Sequence, residues 1–172
     1  MLRTTIPFIL SLFFVIASAT SNGIIGFGLS LYQDLCCQAC HDSLSALYLN
    51  CTTFSEMDGM SMGTTSDSCY ATNAPWLQTM AYCIQQNCDA VGYKGGSKQA
   101  KCFSNQAVMG GSSPTFQESL PTTAPTVELA ANATWLNETS LVNAELYYST
   151  YGTEGEFARS EYIHTRYSYV IL

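Results

Sequence analysis

The spacing of the cysteines is the feature that most constrains the fold of this 172-residue chain. Seven of the eight cysteines fall between residues 36 and 88. An even number of clustered cysteines is typical of a disulfide framework formed in an oxidising compartment. A zinc site is the competing interpretation of clustered cysteines, and we favour disulfides because an export signal precedes the cluster.

Residues 1–19 have the organisation of a secretory signal peptide. Arg3 gives a positive start, residues 6–16 form an apolar run, and Ala19 ends a small-residue cleavage site. The run is shorter than the about 20 residues that span a membrane, although an uncleaved anchor is the alternative. The chain then divides into a signal peptide (1–19), a Cys-rich helical extracellular domain (20–103), a Ser/Thr/Pro-rich connector (104–134) and an aromatic-rich helical segment (135–172).

The composition disfavours one class of partner. The net charge is −7, and charged residues make up 11% of the chain, against about 25% in an ordinary globular protein. Nucleic acid binding requires a basic face, and the whole sequence has only six lysines and arginines. We therefore expect no nucleic-acid partner.

Two amphipathic helices are predicted in the Cys-rich region. The second covers residues 72–87, where Thr72 or Asn73 can cap the first turn and Pro75 costs no hydrogen bond. The first covers residues 34–51, and its apolar positions recur every three or four residues: Cys36, Cys40, Leu44, Leu47 and Cys51.

An antiparallel hairpin of these helices suggests a pattern of disulfides, because the start of one helix would meet the end of the other. The predicted bridges are Cys36–Cys88 and Cys40–Cys83 as rungs, Cys51–Cys69 around the intervening loop, and Cys37–Cys102 from the remaining cysteines. Eight cysteines allow 105 pairings, and the other pairings stay open. The predicted fold class is mainly α: a small disulfide-stapled helical domain with a two-helix hairpin core, irregular loops and a C-terminal juxtamembrane-type helix.

Residues 52–68 are predicted to form a flexible loop rich in methionine. Thioethers are soft ligands that select Cu(I), so Met57, Asp58, Met60 and Met62 are candidate metal ligands. The alternative is an exposed loop that merely tolerates methionine, and no histidine reinforces the cluster. Asn50, Asn132 and Asn137 each begin an N-x-T sequon and are candidate glycosylation sites in an exported protein.

The last part of the chain is unusually aromatic. Six of the eleven tyrosines lie between Tyr147 and Tyr169, and charged residues there predict a helix that begins near Thr153. Aromatic residues gather at membrane–water boundaries, and Val170 begins a short apolar run. An ordinary amphipathic helix is the alternative.

Several of these stretches together resemble the ectodomain of fungal ferric reductase transmembrane components. The similarity covers about residues 23–172 and rests on C-x3-C-H-D-S-L (36–44), N-C-T (50–52), S-C-Y-A-T (68–72), W-L-Q-T-M-A-Y-C-I-Q-Q-N-C (76–88), W-L-N-E-T-S-L-V-N (135–143) and E-F-A-R-S-E-Y-I-H-T-R-Y-S (156–168). Cys37 and Cys102 depart from the family pattern, and they can pair with each other.

The resemblance implies an extracellular cap on a membrane protein that reduces ferric or cupric chelates during iron and copper acquisition. In that family haem lies in a membrane core, and FAD and NADP bind in cytosolic domains. No catalytic or cofactor-binding residue is predicted in this chain, since His41 and His164 do not form a membrane-spanning pair. The expected partners are the remainder of a membrane reductase or another cell-surface protein, together with metal chelates. The alternative function is a stand-alone secreted Cys-rich binding protein at the cell surface.

Overall fold

The computed structural model describes residues 35–57, 59–90 and 96–167. These residues form a mainly helical domain with one small antiparallel hairpin, which confirms the predicted fold class. The predicted signal peptide lies outside the described residues. The elements are α1 (Leu35–Leu44), β1 (Thr53–Met57), β2 (Met60–Thr64), α2 (Asp67–Thr72), α3 (Ala74–Ala90), α4 (Gly96–Gln106), α5 (Phe116–Ser119) and α6 (Ala144–Tyr167).

Helices α1 and α3 form the hairpin at the centre of the core. The apolar face of α3 is buried, because Trp76, Leu77, Met80, Cys83 and Ile84 recur every three or four residues and each is at most 6% exposed. The Asn73 side-chain oxygen accepts a hydrogen bond from the backbone N–H of Trp76 at 2.9 Å. Asn73 therefore caps the helix, as one of the two predicted caps.

Four disulfides connect the helices and loops, and they are the four predicted pairs. The Cα atoms are 5.3 Å apart in Cys36–Cys88, 5.9 Å in Cys40–Cys83, 5.8 Å in Cys51–Cys69 and 6.4 Å in Cys37–Cys102. All four separations fall within the usual range for disulfides. The first two bridges join successive turns of α1 to successive turns of α3, so the hairpin is antiparallel.

The prediction that the first helix continues to Cys51 is wrong, because α1 ends at Leu44. The backbone N–H of Tyr48 donates to the Thr134 carbonyl, and that of Leu136 donates to the Tyr48 carbonyl, both at 2.9 Å. These bonds require an extended chain at Tyr48 and use backbone groups that a helix would otherwise occupy. Pairing with a distant segment therefore ends the helix.

Residues 53–64 form a β-hairpin and not the predicted irregular loop. The sequence carries a signal for this turn, since Asp58-Gly59 is a favoured two-residue hairpin connection. Gly59 has a φ of 77°, a conformation that glycine adopts without steric cost. Asp58 itself lies outside the described residues.

Helix α6 begins at Ala144, well before the predicted start near Thr153, and packs along α1. The Asn143 side-chain oxygen accepts from the backbone N–H of Leu146 at 3.1 Å and so caps the first turn. The preceding segment also contributes to the core, since Phe116 and Leu129 are buried. Among the described residues, no helix has the length and apolar character needed to cross a membrane.

Replacing Tyr147 with phenylalanine is expected to raise the free energy of unfolding by about 1 kcal/mol, since a buried hydroxyl without a partner costs free energy. Tyr147 is 3% exposed, and its hydroxyl has no hydrogen-bond partner among the described residues. Urea unfolding would measure the change. Tyr148→Phe is the matched control, because Tyr148 is 67% exposed and should change little. A less stable Tyr147→Phe variant would show that the hydroxyl is paired.

Candidate functional site

The β-hairpin presents the predicted metal ligands at the surface. Met60 and Met62 are 66% and 53% exposed, and they stand two residues apart on β2, so their side chains share one face. The ladder register places Met57 opposite Met60 and Ser55 opposite Met62. Asp58, the fourth predicted ligand, lies outside the described residues. The structure therefore brings two thioethers to one exposed face of the hairpin.

The other face of the hairpin rests on an aromatic cluster. Ring centroids are 5.0 Å apart for Tyr48 and Phe54, 5.4 Å for Tyr48 and Trp135, and 5.7 Å for Phe54 and Trp135. Gly63 pairs with Phe54, and a Cβ atom there would stand 2.5 Å from the Tyr48 ring. The aromatic cluster therefore requires glycine at position 63. Because the cluster covers one face of the β-hairpin, the methionine face is turned toward solvent.

All three candidate glycosylation sites lie at the surface, since Asn50, Asn132 and Asn137 are exposed. The Asn50 side-chain oxygen accepts a hydrogen bond from the Asn73 amide at 2.7 Å, which ties this residue to the cap of α3. Asn132 and Asn137 lie in the irregular segment that precedes α6.

The eight cysteines are all paired, so the domain has no thiol available for metal binding or redox chemistry. Cys37 and Cys40 have the Cys-x2-Cys spacing that is common in zinc and redox sites. In the fold they belong to different disulfides, one to Cys102 and the other to Cys83. Within the described ranges, no group of three or more His, Cys, Asp or Glu residues is arranged to hold a metal ion.

A polar cluster that the sequence did not predict lies between α1, α4 and α6. The Gln106 amide donates to the Gln38 side-chain oxygen at 2.9 Å, and the Gln38 amide donates to both Asp42 carboxylate oxygens at 3.0 and 3.1 Å. The His41 Nδ1–H donates to Asp42 Oδ1 at 2.7 Å. The Glu154 carboxyl of α6 lies against the Asp42 carboxyl and, when protonated, can donate a hydrogen bond to it. We call these five residues the carboxyl cluster.

The two acids of the carboxyl cluster are shifted in opposite directions. Burial, together with the nearby charge of Asp42, raises the pKa of Glu154 to about 7, and the charge of His41 opposes this. Burial also acts to raise the pKa of Asp42, but hydrogen bonds from His41 and Gln38 outweigh it and keep that pKa below its ordinary value. Of the two acids, Glu154 is therefore the first to gain a proton as the pH falls.

His41 is only partly accessible to solvent. Its side chain is 16% exposed, and its ring packs edge-on against Trp76 with the centroids 6.1 Å apart. The charge of His41 also acts on Glu154, and no local sequence pattern signals this because the two residues come together only when α6 packs on α1. The side chain of His164, also in α6, is outside the described part of the chain.

An open surface groove of about 540 Å³ lies beside residues 120–127. Its one acidic residue is Glu118, whose carboxylate is held by the backbone N–H and hydroxyl of Thr115 at 2.8 Å. These hydrogen bonds lower the pKa of Glu118 and complete the capping box of α5. The carboxylate is thereby committed to a structural role.

Comparisons with protein-family models, with curated proteins and with solved structures found no match to this chain.

Proposed function

We propose that this chain is the extracellular N-terminal domain of a membrane-bound ferric- or cupric-chelate reductase and has no reductase activity by itself. The observation that supports this most directly is the packing of α6 along α1 of the disulfide-bonded hairpin. Helix α6, which contains residues that resemble the approach to the first membrane helix, thus packs on the Cys-rich residues. Such a domain would cover the outer side of a membrane core.

Four disulfides in a domain of this size are typical of proteins that fold outside the cytosol, which supports an extracellular location. Haem, FAD and NADP would bind to other parts of such a reductase. The role left for this domain is to hold metal or metal chelates near the core, or to dock a partner protein. The exposed methionine face of the hairpin suits the first role, because cupric reduction yields Cu(I), which soft sulfur ligands prefer.

The transcript beyond codon 172 provides the test of the proposed location. We expect an apolar continuation of about 20 residues followed by helices with paired histidines. In cells, removal of residues 35–167 from that full-length protein should lower the reduction of extracellular ferric chelates. A stop codon directly after Leu172, with the protein recovered from the medium, would overturn the proposal. That result would favour the stand-alone secreted binding protein.

We expect the purified chain to bind one equivalent of Cu(I), measured by competition with a chromophoric Cu(I) chelator under anaerobic conditions. The double variant Met60→Leu, Met62→Leu should lose at least about tenfold in affinity, because leucine keeps the apolar volume without the sulfur. Met109→Leu, outside the hairpin, is the matched control. Equal affinities for the wild type and the double variant would remove the hairpin from the metal proposal and leave the proposed location untouched.

A further inference from the structure

The contact between α1 and α6 contains a carboxyl group in an unusual position. Glu154 is 7% exposed, and its Oε2 atom has no hydrogen-bond partner among the described residues. Its carboxyl meets that of Asp42, which already accepts hydrogen bonds from Gln38 and His41. Leu35 of α1 lies 3.9 Å from a Cβ atom built at Gly155, so the two helices approach closely beside this pair.

A hydrogen bond between two carboxyl groups requires a proton on one of them, because an ionised carboxylate only accepts. Asp42 is held as the carboxylate by its two donors, which leaves Glu154 as the group that carries the proton. If Glu154 ionised in place, two negative charges would face each other in a partly buried site, with His41 as the neighbouring base. Docking of α6 and ionisation of Glu154 therefore oppose each other.

We propose that Asp42 and Glu154 form a proton-binding site at which one shared proton holds α6 against α1. Loss of that proton releases α6 from the disulfide-bonded hairpin. The titratable groups that face Glu154 are Asp42 and His41, both from α1, and Gln38 and Gln106 complete the cluster as neutral donors and acceptors. The site belongs to this domain and does not depend on the proposed reductase function.

The direction of the pH response follows from the two acids. The pKa of Glu154 is about 7 when α6 is docked, against an ordinary value of 4.5, so its stabilising contribution is complete below pH 4.5 and is lost as the pH rises to 7. Asp42 has a lowered pKa, and its contribution is lost only as the pH falls below its ordinary value of 3.8. The contact between α6 and α1 is therefore strongest near pH 4 and weakens toward neutral pH.

Amide hydrogen exchange of the full chain at pH 5 and pH 8 tests the proposal, with protection factors corrected for the intrinsic effect of pH. We expect the protection of α6 amides to fall on the order of 100-fold between these values, since one pKa unit corresponds to a tenfold change. The protection of α3 amides, which the disulfides hold in place, should change much less. Equal protection of α6 at both pH values would overturn the proposal.

Glu154→Gln is the decisive variant, because its amide donates to Asp42 at every pH. Its α6 amides should stay protected at pH 8, with the pH dependence reduced to a few-fold. Glu145→Gln is the matched control, since Glu145 lies exposed in the first turn of the same helix and should keep the wild-type response. A full response in Glu154→Gln would assign the titration to His41 and overturn the proposal.

A direct titration keeps the proposal testable if Glu154→Gln fails to fold. The side-chain carboxyl carbon of Glu154 in the wild-type protein can be followed by NMR between pH 4 and 9. A midpoint near 7 supports the shared proton. A midpoint near the ordinary value of 4.5 would show that Glu154 is ionised in the docked state and would overturn the proposal.

Discussion

Replacing Trp76 with alanine is expected to lower the free energy of unfolding by about 3–5 kcal/mol, the usual cost of removing a large aromatic side chain from a core. Trp76 is 1% exposed and packs against Tyr70 with ring centroids 4.8 Å apart and the rings tilted by 54°. Its indole N–H donates to the Ala107 carbonyl at 2.9 Å, so the variant also leaves a buried carbonyl without its donor. Urea unfolding of the oxidised protein would measure the loss.

Trp135→Ala provides the control, because Trp135 is the other tryptophan and is 41% exposed. Its replacement should cost much less than that of Trp76, since a partly exposed ring loses less buried area. Trp76→Phe should fall between the two alanine variants, because it keeps the aromatic volume and loses the hydrogen bond. Equal losses at Trp76 and Trp135 would contradict the placement of Trp76 at the centre of the core.

Removing the Cys37–Cys102 disulfide by a double alanine substitution should lower the free energy of unfolding by about 4 kcal/mol. The bridge closes a loop of 65 residues, and the entropy that a disulfide removes from the unfolded chain grows with loop length. It is also the bridge that joins α1 to α4, and both sulfurs are fully buried. Chemical unfolding without reductant would measure the change.

The Cys51–Cys69 bridge is the matched comparison, because it closes a loop of only 18 residues, which contains the β-hairpin. Its double alanine variant should lose about 3 kcal/mol on the same chain-entropy basis. If removal of Cys37–Cys102 cost less than removal of Cys51–Cys69, the bridge between α1 and α4 would not be a principal stabiliser of the fold.

The helices of the Cys-rich region could be predicted because their information is local. The apolar period of α3 and its Asn73 cap both lie within a few helical turns of one another in the sequence, so each can be recognised locally. The pairing of Cys36 with Cys88 and of Cys40 with Cys83 followed from matching one-turn spacings on two antiparallel helices. The capping box of the short helix α5 is likewise local, because it joins Thr115 to Glu118.

The candidate site was predicted only in part. The sequence identified the methionines, and the structure placed Met60 and Met62 on the exposed face of a hairpin. That orientation depends on the contact of Phe54 with Tyr48 and Trp135, which are far apart in the sequence. The early end of α1 has the same origin, because Tyr48 pairs with the segment around Trp135.

The sequence alone indicated the helical class and the two cysteine pairs between α1 and α3, because periodicity and spacing express short-range geometry. Only the tertiary structure decided where α6 docks, which face of the β-hairpin meets solvent and which acids meet between α1 and α6. Asp42 and Glu154 are ordinary acids in the sequence. Their carboxyl groups interact only because α6 packs on α1. Burial and charge–charge interaction depend on distances in space, and no local pattern encodes those distances.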